Sequence, residues 1–418
     1  MPRPRASSHH QDLKDMSEHV TLNALNTFHC LAGDCPDSCC VAAWDIDVEA
    51  DTYEMWRALP DGTLRDTLLA NTLTKERRGK TIRVLAKDVA GKCQHFTHEG
   101  LCAVQAQLGA DYLPHTCQDY PRLRGGTARM RLSSAALSCP EIARLVLFGD
   151  GNQPTPFSTE PREANGLSPG LDAEGRITGH LQRLTERVLG ERKFPLNVKI
   201  YYLGKTLVTL ASQSREGRLD DRALAQIFDT CRTDLFDLNL AIKTRRIRPQ
   251  DNTAGSFWEA IYALGKNRHL FDDSEQRDDA LISAFDADGR DKSQRFAEIH
   301  RQVERYRDAA RPHIRTHLDA AFTNYLRASF MNNGFPWNPL AGNYIATFIN
   351  CIIPFALIQL RLWITAHGQG VLTQDAVRDV VYKTERGLSH NMLLYDHLEA
   401  NGEMLQLDRY LDCLVDIY

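Results

Sequence analysis

Eight cysteines are crowded into the first third of the chain, and they are the residues best suited to chemistry. They follow the spacing C-x4-C-x3-CC and then, after fifty-two residues, C-x8-C, C-x14-C and C-x21-C. Thiolates are soft ligands that select zinc, copper(I) or iron–sulfur clusters, and four of them complete one zinc site or one cluster. We therefore predict a metal-binding module formed by Cys30, Cys35, Cys39, Cys40, Cys93, Cys102, Cys117 and Cys139.

The spacing favours an iron–sulfur cluster over zinc. Zinc knuckles use two cysteines with two to four residues between them; such gaps occur only among Cys30, Cys35, Cys39 and Cys40, and no second pair follows to match them. Neighbouring side chains diverge, so Cys39 and Cys40 do not easily bind one metal ion together. A Cys-Pro step, present at Cys35 and Cys139, also ends the bacterial ferredoxin motif. Zinc, a metal-free or disulfide-linked set, and a second metal site stay open as alternatives.

Polar residues beside the cysteines are candidates to hydrogen-bond metal-bound sulfur. These residues are His29, Gln94, His95, His98 and His115. The plainer alternative for each histidine is an exposed loop residue. Arg122 follows Cys117 closely and is a candidate to balance the negative charge of a thiolate-bound cluster. The three remaining cysteines stand alone in apolar sequence and are predicted to be core residues; they are Cys231, Cys351 and Cys413.

The composition is that of an ordinary globular protein. The chain has 418 residues, 43% of them apolar and 25% charged, and a net charge of -4. This length predicts two or three domains, and the charge gives no attraction to nucleic acid or anionic membranes. Residues 1–20 lack the apolar core of a secretory signal, so we expect a disordered leader and a cytoplasmic protein. In that reducing compartment, clustered thiols favour metal binding over disulfides.

The part that carries the cysteines, residues 21–148, is predicted to be irregular with a few short strands. Segments 21–30 and 80–91 are candidate strands, the second in a hairpin that leads into Cys93. Residues 44–59 predict a turn followed by a helix that begins near Asp51 or Thr52. Proline is favoured at the first position of a helix and glycine after its end, so PEIARLVLFG predicts a helix from Pro140 to Gly149.

The rest of the chain predicts helices, which makes the fold class mainly α. A linker rich in Pro, Gly and polar residues, 149–175, precedes a helical domain, 176–418. Apolar residues recur three and four apart in three segments, which are 219–236, 295–331 and 373–398. Pro312 should break or kink the second segment. The apolar segment from Tyr344 to Ala366 contains Asn350, Pro354 and Arg361, which are costly in lipid; we predict a buried helix pair and no membrane contact.

Five segments resemble a known family. CPDSCCVAAW, GLCAVQAQLG and CQDYPR occur in this order, and FTNYLRASFMNNGFPWNP and TERGLSHN follow. Over about residues 25–400 the chain resembles the flagellin lysine-N-methylase family. The resemblance implies methyl transfer from S-adenosylmethionine to lysine side chains of flagellin, which would be the partner protein. It also implies a [4Fe–4S] cluster at the eight cysteines, without saying which four bind it. The cysteine-rich part alone is similar to small cysteine-cluster proteins as well.

The residues themselves give only weak support for methyl transfer. Dinucleotide-type sites carry a Gly-rich turn after a strand, and the nearest candidate, residues 145–152, is predicted to be a helix end. The spacing C-x3-C-x2-C, typical of radical S-adenosylmethionine enzymes, does not occur in the chain. Motifs therefore leave the S-adenosylmethionine site unassigned, and the sequence leaves the oligomeric state open.

The reaction nevertheless sets requirements. A lysine amine, with an ordinary pKa near 10.4, must lose its proton before it can attack a methyl group, and aromatic faces favour a sulfonium ion. The catalytic candidates lie in the family-like helical segments and are Tyr325, Trp337, Tyr344 and His390. For each of them the alternative role is packing. The alternative function is a non-enzymatic iron–sulfur or zinc protein that senses redox state or metal, with the helical half as a partner-binding surface.

Overall fold

Helices form most of the chain after residue 173, whereas short strands, short helices and turns form the part before it. The predicted fold class, mainly α with an irregular cysteine-rich part, is confirmed. The structure is a computed structural model that describes residues 18–41, 44–77, 79–126, 130–149, 157–159, 173–215, 220–272, 283–285, 291–315, 318–336, 344–388 and 406–418.

In the described part of the chain, six short strands form two sheets. They are β1 (Glu18–Leu22), β2 (Thr72–Arg77), β3 (Lys80–Leu85), β4 (Arg122–Gly126), β5 (Met130–Ala135) and β6 (Phe157–Thr159). One sheet has the order β4-β5-β1-β6, with β1 parallel to β5 and antiparallel to β6, and β2 pairs only with β3. Parallel neighbours need a long crossover connection. Here the crossover contains seven of the eight clustered cysteines, so the cysteine-rich segment leaves the sheet and returns to it.

Six helices lie in the described residues of the N-terminal part. They are α1 (Ala24–Thr27), α2 (Ala50–Arg57), α3 (Thr63–Ala70), α4 (Ala103–Leu108), α5 (His115–Asp119) and α6 (Pro140–Phe148). The predicted helix near Asp51 is α2. The predicted start at Pro140 and end at Gly149 are both confirmed in α6.

The strand predictions are correct only in part. Residues 21–30 were expected to form one strand, but β1 ends at Leu22 and α1 follows, because these residues have strand partners only as far as Leu22 and then pack against α6. The strand predicted over 80–91 ends at Leu85. Its hairpin partner is the preceding β2, with Glu76 opposite Thr81, and no strand follows it before Cys93.

Nine helices have their bounds in the described residues of the C-terminal part. They are α7 (Ala173–Gly190), α8 (Leu196–Arg215), α9 (Asp221–Lys243), α10 (Asp251–Lys266), α11 (Lys292–Arg315), α12 (Asp319–Asn332), α13 (Tyr344–Gln369), α14 (Gln374–Leu388) and α15 (Leu407–Tyr410). The segment 295–331 is divided between α11 and α12. The division lies after Arg315, one turn beyond Pro312, so the proline sits inside α11 rather than at its end.

The apolar segment predicted as a helix pair is one helix, α13, which continues through Pro354. The prediction of a pair is wrong, whereas the prediction of burial is correct. Among the described residues, α13 is the one helix long and apolar enough to span a bilayer, and 89% of its most apolar stretch is buried inside the protein. Packing on all sides therefore stabilises the helix despite the missing proline N–H group.

Two hydrophobic cores hold the fold together. The larger core combines β1, β5 and α6 with the C-terminal helices, so it uses residues on both sides of the predicted linker; the boundaries at 148 and 176 stay predictions. Cys231, Cys351 and Cys413 are 0% exposed in this core, as predicted. The smaller core lies in the cysteine-rich part and consists of Ile46, Val48, Trp56, Leu68, Leu85, Cys93, Val104 and Leu113.

Candidate metal centre

Five of the eight clustered cysteines line one cleft beside the smaller core. They are Cys39, Cys40, Cys93, Cys102 and Cys117. The empty volume of the cleft is about 620 Å³, including the part open to solvent. Aromatic rings complete much of its wall, among them Trp44, Trp56 and Tyr120. The fold thus brings together thiols that the sequence separates by up to 78 positions (117 − 39).

Local backbone contacts fix each cysteine segment. Cys39 and Cys40 occupy one 3-10 turn, and the Cys40 carbonyl accepts a hydrogen bond from the Cys93 amide at 2.8 Å. Cys102 stands just before α4 and bridges to Phe96. Cys117 lies in α5. The Gln118 side chain of this helix donates a hydrogen bond to the Leu113 carbonyl at 2.7 Å, which fixes α5 to the residues before it. Loops connect these segments, so their relative positions depend on the small core.

His95 is the polar residue best placed to interact with a group bound in the cleft. Its side chain lines the cleft and is 4% exposed, and its Nε2 atom has no hydrogen-bond partner among the described residues. Burial lowers the pKa of His95, which favours the neutral ring. A buried polar atom without a partner is costly, so the cleft fits an occupant that hydrogen-bonds to this ring, as expected beside metal-bound sulfur.

The other three clustered cysteines lie outside the cleft lining. Cys30 is exposed, Cys35 is half-buried and Cys139 is buried. Burial raises the pKa of Cys139 to about 11, and the thiols of Cys35 and Cys39 raise it further. Burial also raises the pKa of Cys35, with smaller contributions from Cys30 and Cys39. The Cys39 thiol therefore affects the pKa of thiols outside the cleft as well as of thiols that line it.

The distances between the sulfur atoms bear on which metal fits. Within the described ranges, no three cysteine sulfurs lie within 4.8 Å of one another. A single zinc ion with Zn–S bonds of 2.3 Å requires all four sulfurs to be about 3.8 Å apart. The described sulfurs do not form such a tetrahedral set, and the identity of the metal stays a prediction.

Burial keeps the thiols of the cleft protonated unless a metal binds to them. Burial raises the pKa of the Cys117 thiol above its usual range, and the nearby thiols of Cys39, Cys102 and Cys93 raise it further. Burial likewise raises the pKa of Cys93. Without a positive charge these thiols are protonated at neutral pH, whereas a bound metal deprotonates its thiol ligands.

The rim of the cleft carries a separate polar group. His115 Nε2 lies 3.2 Å from Asp51 Oδ2, and the His115 amide donates to Glu49 Oε2 at 3.1 Å. His115, predicted as a partner of metal-bound sulfur, thus pairs with carboxylates. His98 is 92% exposed, which agrees with its plainer alternative role.

The predicted charge-balancing arginine lies elsewhere. Arg122 is exposed, and its guanidinium lies 5.4 Å from the centre of the Phe28 ring. Instead, Arg386 of α14 contacts the cysteine segment through an ion pair with Asp37 at 2.6 Å. Sequence reasoning missed Arg386 because no local pattern connects residues about 350 positions apart; its place in the TERGLSHN segment was the one available signal.

The predicted catalytic residues are not gathered at the cleft. Tyr325, in α12, is 0% exposed and donates its hydroxyl to Glu385 Oε1 at 2.6 Å. Tyr344 begins α13 and packs half-buried on the larger core. Neither residue lines the cleft. Trp337 and His390 lie outside the described residues, and the catalytic roles of all four stay predictions.

Fold and site together define a mainly helical protein with a cysteine-lined candidate metal centre. The family model described as FliB lysine N-methylase C-terminal domain matches residues 184–411, more than half of the chain. The chain belongs to this FliB lysine N-methylase family, which confirms the resemblance seen in the sequence motifs.

Individual relatives extend the similarity to the N-terminal part. The chain is 23% identical over 384 residues to the Lysine-N-methylase of Salmonella typhimurium, covering 89% of this chain and 92% of that protein. The Lysine-N-methylase of Salmonella choleraesuis matches with the same identity and coverage. Flagellar biosynthetic protein FliU of Salmonella muenchen is 32% identical over 130 residues, 31% of this chain and 76% of that protein. No solved structure matches the chain.

Proposed function

We propose that this protein transfers methyl groups from S-adenosylmethionine to lysine side chains of flagellin and binds a [4Fe–4S] cluster in its cysteine cleft. The similarity to two proteins named Lysine-N-methylase, over 89% of the chain, carries the enzymatic part of the proposal. The similarity to a flagellar biosynthetic protein supports flagellin as the substrate. Eleven free cysteines support a reducing, cytoplasmic location.

The transfer is a nucleophilic substitution. The neutral ε-amine of the substrate lysine attacks the sulfonium methyl carbon, so that a C–N bond forms while the C–S bond breaks and its electron pair stays on sulfur. The protein must therefore promote loss of the ammonium proton, through burial or a nearby base. The match to the lysine N-methylase domain covers residues 184–411, and for that reason we place the transfer in the helical half.

We assign the cluster to Cys39, Cys93, Cys102 and Cys117. All four line the cleft, and Cys117 is under the electrostatic influence of the other three. Cys40 also lines the cleft, but it is the thiol of its neighbour Cys39 that raises the pKa of Cys93 and of Cys117. Bound there, a cluster would supply one-electron redox chemistry and would cross-link the 3-10 turn, the residues after β3, the start of α4 and α5.

Two measurements test the proposal. The first is incubation of the anaerobically purified protein with flagellin and S-adenosylmethionine carrying a labelled methyl group, followed by mass spectrometry of flagellin peptides. We expect label on lysine side chains, and none when flagellin is replaced by a protein of similar lysine content. An intact cluster without any transfer would refute the enzymatic assignment and favour a non-enzymatic cluster protein.

The second measurement concerns the metal. We expect a brown protein containing iron and acid-labile sulfide; a colourless protein containing zinc would refute the cluster. The four assigned cysteines are tested one at a time by Cys→Ser substitution, with Cys231→Ser as the matched control, because Cys231 lies in the larger core.

A further inference from the structure

The side chain of Arg386 extends from α14 into the cysteine-rich segment and makes three polar contacts there. Its Nη1 atom lies 2.6 Å from Asp37 Oδ1, and its Nη2 atom donates to the Asp37 carbonyl at 3.0 Å and to the Ser138 carbonyl at 3.3 Å. The side chains of Arg386 and Asp37 are only 12% and 24% exposed. An ion pair this shielded from water is screened much less than a surface pair.

These contacts lie next to three of the clustered cysteines, which are Cys35, Cys39 and Cys139. The Asp37 carbonyl that accepts from Arg386 also accepts from Cys35 Sγ at 3.4 Å, and Asp37 lies two residues before Cys39. Ser138 immediately precedes Cys139. A single guanidinium therefore connects two cysteine-bearing segments that are about a hundred residues apart.

Aromatic rings limit the movement of the guanidinium. Its central carbon lies 5.4 Å from the centre of the Tyr382 ring and 5.9 Å from that of Trp44, which lines the cleft. Guanidinium groups are attracted to the faces of aromatic rings at such distances. Arg386 is thus held in place from the helical side by Tyr382 and from the cleft side by Trp44.

The residues before Arg386 fix α14 itself. Thr384 Oγ1 accepts from Arg361 Nη1 of α13 at 2.7 Å, and Glu385 Oε1 accepts from the Tyr325 hydroxyl of α12 at 2.6 Å. Successive helical residues point about 100° apart, so the three side chains reach three different partners. Two of these contacts are buried inside the helical half, and the third, from Arg386, reaches the cysteine segment.

One atom of Arg386 is left without a partner. Its Nε atom is buried and has no hydrogen-bond partner among the described residues. The thiols of Cys35 and Cys39 are its electrostatic neighbours. Arginine does not lose its proton in proteins, so this N–H group is a permanent donor for a negatively charged acceptor.

We propose that Arg386 is a positioning residue for the metal centre: it anchors the Cys35–Cys40 segment and Cys139 to the helical half, and it supplies a permanent positive charge beside the cluster. The charge effect rests on the cluster of the proposed function, whereas the anchoring does not. The proposal links the cysteine centre to the family-matched helical domain through one side chain.

The experiment uses the full chain and four variants. Arg386→Gln removes the charge and the fork of donors. Arg386→Lys keeps the charge but loses the fork, because an ammonium group cannot make the paired contacts of a guanidinium. Asp37→Asn keeps the arginine but removes the ion pair. Arg378→Gln is the matched control, since Arg378 lies on the same helix, is 16% exposed and, among the described residues, forms ion pairs only with Asp375 and Asp379 of that helix.

Anchoring is measured on the metal-free protein by hydrogen exchange of the peptide covering residues 30–41. Loss of hydrogen bonds to a charged group should speed exchange on the order of tenfold or more in Arg386→Gln, Arg386→Lys and Asp37→Asn. Arg378→Gln should exchange as the unsubstituted protein does. Unchanged exchange in the first three variants would overturn the anchoring role.

The charge effect is measured as the reduction potential of the reconstituted cluster. Reduction adds negative charge, so Arg386→Gln should lower the potential, whereas Arg386→Lys should keep it and Asp37→Asn should not lower it. A potential that is unchanged in Arg386→Gln would overturn the charge effect. If Arg386→Gln does not fold, Arg386→Met, which also removes the charge, replaces it in the measurement of the potential, and an unchanged potential there overturns the charge effect. Arg386→Lys and Asp37→Asn then decide the anchoring, which slow exchange in both would contradict. If the unsubstituted protein takes up no iron, the cluster assignment fails while the exchange experiment still decides the anchoring.

Discussion

Substitution of Tyr325 by phenylalanine separates a structural role of this residue from a catalytic one. The ring is 0% exposed and stacks with Phe355 at 5.8 Å, and these contacts survive in Tyr325→Phe. The substitution removes only the hydroxyl, which donates to the Glu385 carboxylate at 2.6 Å. A hydrogen bond to a charged group contributes about 1.5–3 kcal/mol. We therefore expect the free energy of unfolding to fall by roughly 2 kcal/mol.

The same geometry predicts little change in the methylation rate per folded molecule. Burial raises the pKa of Tyr325 well above its usual range, and the Glu385 charge raises it further. The hydroxyl therefore stays protonated and cannot accept the proton of a substrate lysine. A general base contributes about 10²–10⁴-fold to a rate, so removal of a true base would be obvious.

Urea unfolding followed by circular dichroism, together with the initial rate of methyl transfer, tests this prediction. Tyr53→Phe is the control, because no described residue hydrogen-bonds to the Tyr53 hydroxyl, whose ring packs beside the Arg83 guanidinium. We expect Tyr53→Phe to change neither quantity. A hundredfold loss of rate in Tyr325→Phe with unchanged stability would refute the structural reasoning and support the catalytic role predicted from the sequence.

Three further predictions concern other parts of the molecule. Cys117→Ser should abolish the colour of the anaerobically purified protein, whereas Cys231→Ser should keep it; equal colour would contradict the ligand assignment. Burial lowers the pKa of Lys199 from 10.5 to about 8, so the unfolded chain binds more protons between these pH values, and stability rises with pH in that window. In unfolding measurements across this pH range, Lys199→Met should remove the rise in stability. At pH 7 its free energy of unfolding should exceed that of the unsubstituted protein by at most about 3 kcal/mol. An unchanged pH profile would refute this prediction. Gly255→Ala should destabilise by about 1–3 kcal/mol or more, because its Cβ would clash with the backbone oxygen of Phe296 in α11, whereas Gly190→Ala meets nothing within 3.4 Å; equal melting temperatures would contradict this.

Features set by local chemistry could be predicted from the sequence. Pro140 and Gly149 bound α6 because proline suits the first helical position and glycine suits the end. The burial of α13 follows from its composition. Predictions failed where a distant partner decides the outcome, as for residues 21–30, in which β1 extends only as far as it can pair with strands formed more than a hundred residues later.

The site could be predicted as a set of residues but not as an arrangement. Residue type and spacing drew attention to the eight cysteines, five of which line the cleft, and to His95, whose buried ring lines it too; metal binding by these residues stays a prediction. The division into five cleft cysteines and three outside it depends on how the loops pack on Trp56 and its neighbours. The contribution of Arg386 depends on the docking of α14, which no local pattern encodes.

The two cores also differ in when they can form during protein synthesis. The smaller core and the cleft need only residues between Cys39 and Tyr120. The larger core buries Ile417 and Tyr418, so translation must have reached Tyr418 before that core can close. Domains generally fold in the order in which they leave the ribosome. The residues that line the cleft are therefore all synthesised before α14, and Arg386 contacts the cysteine segment only after the helical half has been made.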